Sequence, residues 1–414
     1  MQRSTLYLRI LPRRSTSLEG KRHVNTVPVK IKRSSNSLHK KHQDGPFTFC
    51  TRGQLDTIVG LFGNDNIFVV STDDKAKVPL GITAAVKQSP LLMHIDYQVR
   101  LPDHDFIKAK KHKLTPSVYA GCAIKKSSST STAYISYSGP MYIAVRSGKH
   151  DSSTAFSHGQ DFDKLIGLPQ FKEIAHKGTE IKPIVLNYVD GGSDENVRWP
   201  KTLAVAVDRF KKYNLDAYIA ITHAPGMSAF NFVERRMAPL SKELAGVVIP
   251  HDVCGTHLDS SGRTIDEELE KTNFQKAGEI LASIWNGLVL DGHEVVAECV
   301  KNVEIDLMEF DDMWIANHCR VSQYLLQIVK CNDKECCQPW RTSWFSFFPD
   351  RFLPAPFPLH HNMTGPLIPT SADAVKVNCS FNTDLWQHIA LQNMIPCDIR
   401  PVPYDFFVPP YKSV

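Results

Sequence analysis

Two apolar runs, each followed at once by polar or acidic residues, constrain this chain most. Pro183-Ile184-Val185-Leu186-Asn187-Tyr188-Val189 stops on Asp190-Gly191-Gly192-Ser193. Ala217–Thr222 is a second apolar run, followed by the turn His223-Ala224-Pro225-Gly226 and a helix-forming stretch that carries Glu234 beside Arg235 and Arg236. Between Asp190 and Glu234 lie forty-three residues, room for one helix and one strand. The spacing predicts strand, helix, strand, helix, with one carboxylate at a strand end and another on a helix that faces it. Two carboxylates held that way can share divalent cations and drive phosphodiester chemistry.

A third acid stands upstream. Asn66-Ile67-Phe68-Val69-Val70-Ser71-Thr72 is a short β-favouring run that ends in Asp73-Asp74-Lys75. A strand that stops on an acid displays it at the sheet's end, next to Asp190 if the two strands pair. Neighbouring strand residues point to opposite faces, so Asp73 and Asp74 stay open as alternatives for the first ligand until the register is known. The expected metal ligands are therefore Asp73, Asp74, Asp190 and Glu234, with Asp73, Asp190 and Glu234 as the catalytic set. Hard oxygen donors of this kind suit Mg²⁺ or Mn²⁺. Read singly, each acid is an ordinary surface carboxylate; their order and context carry the expectation.

The remaining pattern alternates in the same way. A short helix is expected over Gln54–Phe62, then strands at Ile67–Thr72, around Val78–Gly81, at Val118–Ile124 and at Tyr134–Val145, with a serine-rich linker over Lys125–Thr132. Helices follow near Thr202–Tyr213 and around Glu234. In the latter, Val233, Met237, Leu240 and Leu244 share one face and Pro239 is expected to kink or divide the helix. Thr264-Ile265-Asp266-Glu267 has the form of a capping box opening a long helix with Ala277, Ile280, Leu281, Ile284, Trp285 and Leu288 on one side. Residues 338–370 hold seven prolines and seven Trp or Phe, which predicts an extended segment docked by its aromatics. The fold class is α/β: a mixed sheet with flanking helices, a helical extension, and an irregular Pro/aromatic-rich C-terminal segment.

The residues from Asp190 to Glu234 resemble the RNase H-like DDE transposases and integrases. Asp190-Gly191-Gly192-Ser193 is similar to their second aspartate turn, and Asn231-Phe232-Val233-Glu234-Arg235 to their glutamate helix. From about Ser4 onward the chain also resembles uncharacterised transposase-like proteins of eukaryotes. The resemblance implies an RNase H-like sheet and Mg²⁺- or Mn²⁺-dependent hydrolysis and strand transfer on DNA. It also implies a nuclear location and work as an oligomer. Charge and composition along the chain divide it into a basic arm (1–50), a core (51–250) that the resemblance makes catalytic, a helical accessory region (251–330) and a Cys/Pro/aromatic-rich segment (331–414). No helix-turn-helix or zinc finger is recognisable ahead of the core, where such families usually carry a DNA-binding domain.

Charge supports a phosphate-bearing partner. Of the net +5, residues 1–45 carry eleven Lys or Arg against two acids, about +9, which leaves about −4 for the rest. A solvated tail is the plainer reading of that arm. Lys75, Lys110, Lys111, Lys113, Arg235 and Arg236 are the expected nucleic-acid contacts, each with an exposed surface charge as its alternative. Asp194, Glu195 and Asn196 either support the metal or DNA, or form a polar turn and helix cap; nothing local to His158 requires that it face the cleft. Two Cys/His groups raise a structural Zn²⁺: His251, Cys254 and His257 with Asp259 nearby, and Cys331, Cys336 and Cys337 with His318 and Cys319 upstream. Neither matches a strong ligand spacing. Ten cysteines with no recognisable signal segment predict reduced thiols. No apolar run approaches the roughly 20 residues that span a bilayer, so no membrane partner is expected.

Overall fold

The structure, a computed structural model, describes residues 44–82, 84, 112–127, 132–192, 194–227, 230–302, 311–354, 359–361, 367–369, 385, 386 and 389. Residues 1–43 of the expected basic arm (1–50) and the lysines Lys110 and Lys111 lie outside the described residues, while Gly45 to Cys50 belong to the first helix.

A helix, α1 (Gly45–Phe62), precedes the first strand. It begins nine residues before the expected Gln54. Pro46 near its start fits a first turn that lacks amide partners, and Thr48 and Thr51 donate their hydroxyls to the carbonyls of Gly45 and Phe47. Then come β1 (Ile67–Asp74), β2 (Val78–Pro79) and β3 (Lys113–Cys122), a small hairpin of β4 (Ile124–Lys126) and β5 (Ala133–Ile135), and β6 (Met141–Ser147). The expected single strand over Tyr134–Val145 is thus broken before Met141. Next are α2 (Ala155–Ile166), the short α3 (Lys172–Ala175), the hairpin β7 (His176–Lys177) and β8 (Glu180–Ile181), and β9 (Ile184–Val189). After these follow α4 (Pro200–Lys212), β10 (Ala217–Thr222) and α5 (Phe232–Glu243). β9 and β10 have the expected limits.

Five strands at the centre of the sheet pair in the order β6-β3-β1-β9-β10. β3 runs antiparallel to both β1 and β6, whereas β9 runs parallel to β1 and β10 parallel to β9. An antiparallel trio of strands followed by two parallel strands reached through crossover helices is the RNase H-like arrangement. α2 and α4 cover one face, where Phe162, Leu165, Leu203, Val207 and Phe210 pack on Phe68, Val70, Val185 and Tyr218. α1 covers the other face, where Leu55, Ile58, Val59 and Phe62 pack on Ile67, Val69, Leu186 and Ile219. The predicted stripe of α5 is buried as expected: Val233, Met237, Leu240 and Leu244 lie against Val118, Ala120 and Ile143. Pro239 neither divides nor ends α5. The hydrogen bond it forgoes would reach the carbonyl of Arg235, an exposed residue where water can take its place.

Beyond α5 the chain adds α6 (Glu267–Trp285), β11 (Val289–Leu290) and β12 (His293–Cys299). It then forms α7 (Asp312–His318), β13 (Cys319–Val321), β14 (Leu325–Val329) and the short α8 (Trp344–Phe347), with a last hairpin β15 (Leu359–His361) and β16 (Leu367–Pro369). The cap of α6 is Asp266, whose side chain accepts from the Leu269 amide at 2.9 Å. Thr264 is not the cap; its hydroxyl donates to Glu270 at 2.7 Å. Residues 251–330 do more than form a helical layer: β12 pairs parallel to β6 and β14 pairs antiparallel to β10, so both outer edges of the five-stranded core are covered. The aromatic segment docks on the chain's own body. Trp344 is fully buried, stacks on Phe62 at 5.4 Å, and joins Phe348 and Leu353 in the core beneath α1.

Candidate active site

Sheet register brings the first two acids together. Thr72 lies opposite Val189, so Asp73 and Asp190 follow side by side at the ends of neighbouring parallel strands, where strand spacing is about 4.8 Å. The pleat separates Asp73 from Asp74. Ser71 and Asp73 share the face toward α5, while Asp74 points toward α2 and accepts a hydrogen bond from Ser117 at 2.6 Å.

Glu234 comes from the first turn of α5, and two residues that the sequence reading passed over fix where it sits. Asn231, fully buried ahead of α5, donates to the Thr72 carbonyl at 3.1 Å and accepts from the Ser71 hydroxyl. The Ser71 oxygen in turn accepts from the Val233 amide at 3.0 Å. This staple holds the start of α5 against the end of β1, so that the Glu234 and Asp73 carboxyls share a hydrogen bond. On the other side Gly191 adopts φ +85°, which lets the turn after β9 pass close to Thr222; a Cβ at Gly191 would lie 3.1 Å from the Thr222 Cβ. Asp73, Asp74, Asp190, Glu234, Arg198, His223, Gln323 and Tyr324 all line one open cleft of about 750 Å³.

The electrostatics are those of acids gathered with little counter-charge, Lys75 beside Glu234 being the cation that acts on them. Burial, then Asp190, Glu195, Glu234 and Asp74, pushes the Asp73 carboxyl up to about 8. Burial and Asp194 raise Asp190. Burial and Asp190 raise Glu234, opposed by its hydrogen bond with Asp73 and by the Lys75 ammonium. A set of hard oxygen donors whose carboxyls repel one another is one that a divalent cation relieves, so the residues present fit Mg²⁺ or Mn²⁺. Among the described residues these three carboxyls do not converge as tightly as the groups whose ligand atoms all lie within 4.8 Å of one another.

Behind the acids, on the opposite face, lies a buried polar network that the sequence reading did not find. Asp74, His158 and Asp194 form one of the tight groups. Tyr119 spends its one proton on Asp161 at 2.5 Å, so the His158 Nδ1, 2.5 Å from the same hydroxyl, must donate to it. The His158 Nε2 faces Ser153 at 3.0 Å and Asp194 at 3.4 Å. Burial lowers the affinity of His158 for its second proton, but Glu195, Asp194 and Asp74 outweigh it and raise the imidazole to about 9. Its Nδ1 donor role and these neighbouring acids favour the protonated imidazole, while burial raises the Glu195 carboxyl as well. Arg146 extends the network through its ion pair with Asp161 and a 3.1 Å bond to Ser117. The i, i+2 pair Ser117 and Tyr119 and the i, i+3 pair His158 and Asp161 were the available signals. Asp194 and Glu195 serve this network rather than a plain turn.

The expected nucleic-acid contacts divide. Lys75 donates to Ser241 at 2.6 Å beside Glu234. Lys113 stands exposed at the first position of β3 and Arg235 is exposed over the Tyr137 ring at 4.1 Å. Arg236 does not face DNA: it is buried and donates to the carbonyls of Gly121, Pro140 and Gly139. One α-helical step rotates a side chain by about 100°, so one arginine of the pair points out and its neighbour points in.

No protein-family model matches the chain, and no curated protein matches it. Among solved structures the chain is similar to a Mos1 strand transfer complex, at 12% identity and TM-score 0.33 over 64% of this chain and 68% of that one. It is also similar to a pre-cleavage Mos1 transpososome, at 12% identity and TM-score 0.32 over 64% and 69%. The order and directions of its own strands make this chain an RNase H-like α/β protein.

Proposed function

We propose that the chain is a DDE transposase-derived protein that cuts and joins DNA phosphodiesters with divalent metal. The observation that carries this reading is the placement of Asp73 and Asp190 at adjacent parallel strand ends, with Glu234 stapled over them in one open cleft. Asp73, Asp190 and Glu234 would hold Mg²⁺ or Mn²⁺. When bound, such ions supply Lewis acidity at the scissile phosphate and a water of lowered pKa. Asp74 belongs to the His158 side and is a positioning residue in this reading. Ser71 and Asn231 orient Glu234; Lys75 places positive charge beside it; Lys113 and Arg235 offer exposed charge to the DNA backbone. The reading expects a nuclear protein that assembles as an oligomer on DNA.

The test is nicking of supercoiled plasmid by the purified chain with Mg²⁺ or Mn²⁺, beside Asp190→Asn and Glu234→Gln. Metal-dependent nicking lost in both variants supports the assignment. A folded protein that binds DNA and never nicks it would instead be a non-catalytic descendant of such an enzyme. Cleavage without joining of labelled ends would make it an RNase H-like nuclease.

A further inference from the structure

A second cluster of ligand-type side chains lies at the far edge of the sheet and shares no residue with the acidic cleft. His318 closes α7, Cys331 follows β14, and Cys336 and Cys337 lie on the turn after it. Their ligand atoms all lie within 4.8 Å of one another. The Cys336 and Cys337 sulfurs stand 3.5 and 3.4 Å from the His318 Nε2. A tetrahedral zinc with Zn–S near 2.3 Å and Zn–N near 2.0 Å separates sulfur and nitrogen by about 3.6 Å. These two sulfurs are therefore already at the spacing from the imidazole that a shared ion imposes, and the Cys331 sulfur lies within 4.8 Å of all three partners.

The imidazole is prepared as a ligand. Its Nδ1 lies 2.7 Å from the Trp314 carbonyl, which can only accept, so the proton sits on Nδ1 and Nε2 presents a lone pair to the sulfurs. Stacking on the Trp314 ring at 4.1 Å and 10° fixes the ring plane. The turn is shaped as well: the Asp333 carbonyl accepts from the Cys336 and Cys337 amides at 3.2 and 2.9 Å, and the Asp333 side chain caps the Glu335 amide at 2.9 Å. All three cysteines are free thiols. Arg351 and Lys211 lie close enough to act on His318, and their positive charge would offset the net negative charge of three thiolates on one divalent ion. Cys319, next to His318 in sequence, is not part of the set; it is buried in the core under α4 and α7. The other Cys/His group does not assemble. Cys254 is exposed, and His257 is buried against His112 and Glu270 instead.

We infer that His318, Cys331, Cys336 and Cys337 bind one structural Zn²⁺. Three soft thiolates with one imidazole form a closed four-ligand set that selects zinc over hard cations. The ion ties the end of α7 to the exit of β14. From that knot the chain runs into the aromatic segment whose Trp344 and Phe348 cover the core beneath α1.

The test is metal content of the full chain purified under reducing conditions, measured by elemental mass spectrometry, with Co²⁺ substitution as a spectroscopic probe. One zinc per chain is expected. Co²⁺ should show thiolate charge-transfer and tetrahedral d–d bands. Cys337→Ser and His318→Ala should lose most of the zinc, while Cys254→Ser keeps it. Should the variants fail to fold, wild type answers the question through alkylation: Cys331, Cys336 and Cys337 should be shielded until a chelator is added. A folded, reduced protein without zinc would overturn the inference, as would a disulfide within the trio or unchanged zinc in Cys337→Ser. None of these outcomes depends on whether the chain nicks DNA.

Discussion

Replacing Arg236 with methionine separates an architectural arginine from a DNA-binding one. Arg236 is 7% exposed and lies two residues beyond Glu234. Its guanidinium donates to Gly121 at 3.0 Å, to Pro140 at 3.4 Å and to Gly139. These carbonyls sit where the chain entering β6 presses on the end of β3; a Cβ at Gly139 would come within 2.2 Å of the Gly121 oxygen. Methionine fills much of the same volume and donates nothing. The Pro140 oxygen keeps the Gly121 amide at 3.0 Å, so the Gly121 and Gly139 oxygens are the ones exposed to the loss. Each buried carbonyl left without a donor costs about 1–3 kcal/mol. With partial relaxation, a net loss of about 3 kcal/mol is expected. At about 2.1 cal/mol/K of unfolding entropy per residue over roughly 280 residues, that is a fall in Tm of about 5 °C. Arg235→Ala, which removes only an exposed contact with Tyr137, should cost under about 1 kcal/mol. Duplex binding is then measured against salt at a temperature where both variants are folded. Each phosphate contact contributes about 0.9 to the slope of log K against log salt. The slope should be unchanged in Arg236→Met and shallower by about 1 in Arg235→Ala. An Arg236→Met protein that melts with wild type and loses salt slope would refute this account of the buried guanidinium.

Three further outcomes are expected. Burial and its acidic neighbours push Asp73 from the ordinary 3.8 to about 8, so the folded state holds a proton that the unfolded chain has released. Stability of the metal-free protein should therefore fall as pH rises from about 4 to 8 and level off above; Mg²⁺ should raise Tm more at pH 8 than at pH 6, and Asp73→Asn should flatten both trends in a thermal scan. Gly191→Ala forces a side chain onto φ +85° against Thr222, so it should cost about 1–3 kcal/mol and reduce metal-dependent nicking while duplex binding is kept; unchanged nicking would mean the turn tolerates the shift. Asp216 is fully buried, pairs with Lys330 at 2.9 Å and accepts from the Arg341 amide and the Thr342 hydroxyl. Asp216→Ala leaves that lysine buried and unpaired and should cost about 3–5 kcal/mol in chemical unfolding; a loss below about 1 kcal/mol would show that water reaches the pair.

The parts of this molecule legible in the sequence are those set by local pattern. β9 and β10 are short apolar runs between punctuating residues, and the buried face of α5 follows from the spacing of Val233, Met237, Leu240 and Leu244. The three acids stand out because each ends or faces such an element. What could not be read needs partners distant in the chain. Asp73 and Asp74 differ only by the pleat, which pairing with β9 and the Ser71–Asn231 staple decide. Arg146 and Asp161 look like surface charges until β3, β6 and α2 bury them together. Arg235 and Arg236 are adjacent identical residues with opposite fates. β12, with glutamates at both ends of its apolar centre, is a strand only because β6 offers it an edge.

The two covered edges carry a consequence for gene fragments. The strands that bear the acids are complete by residue 243, yet β6 meets its outer neighbour only with 293–299 and β10 only with 325–329. A copy broken just after Glu243 would still encode Asp73, Asp190 and Glu234. It would emerge from the ribosome with two bare strand edges and with Met141, Ile143 and Val145 stripped of α6, a surface that templates aggregation. An intact set of acids in a truncated relative is therefore no sign of a working product. The later, less conspicuous half of the chain decides whether those acids ever reach a folded sheet.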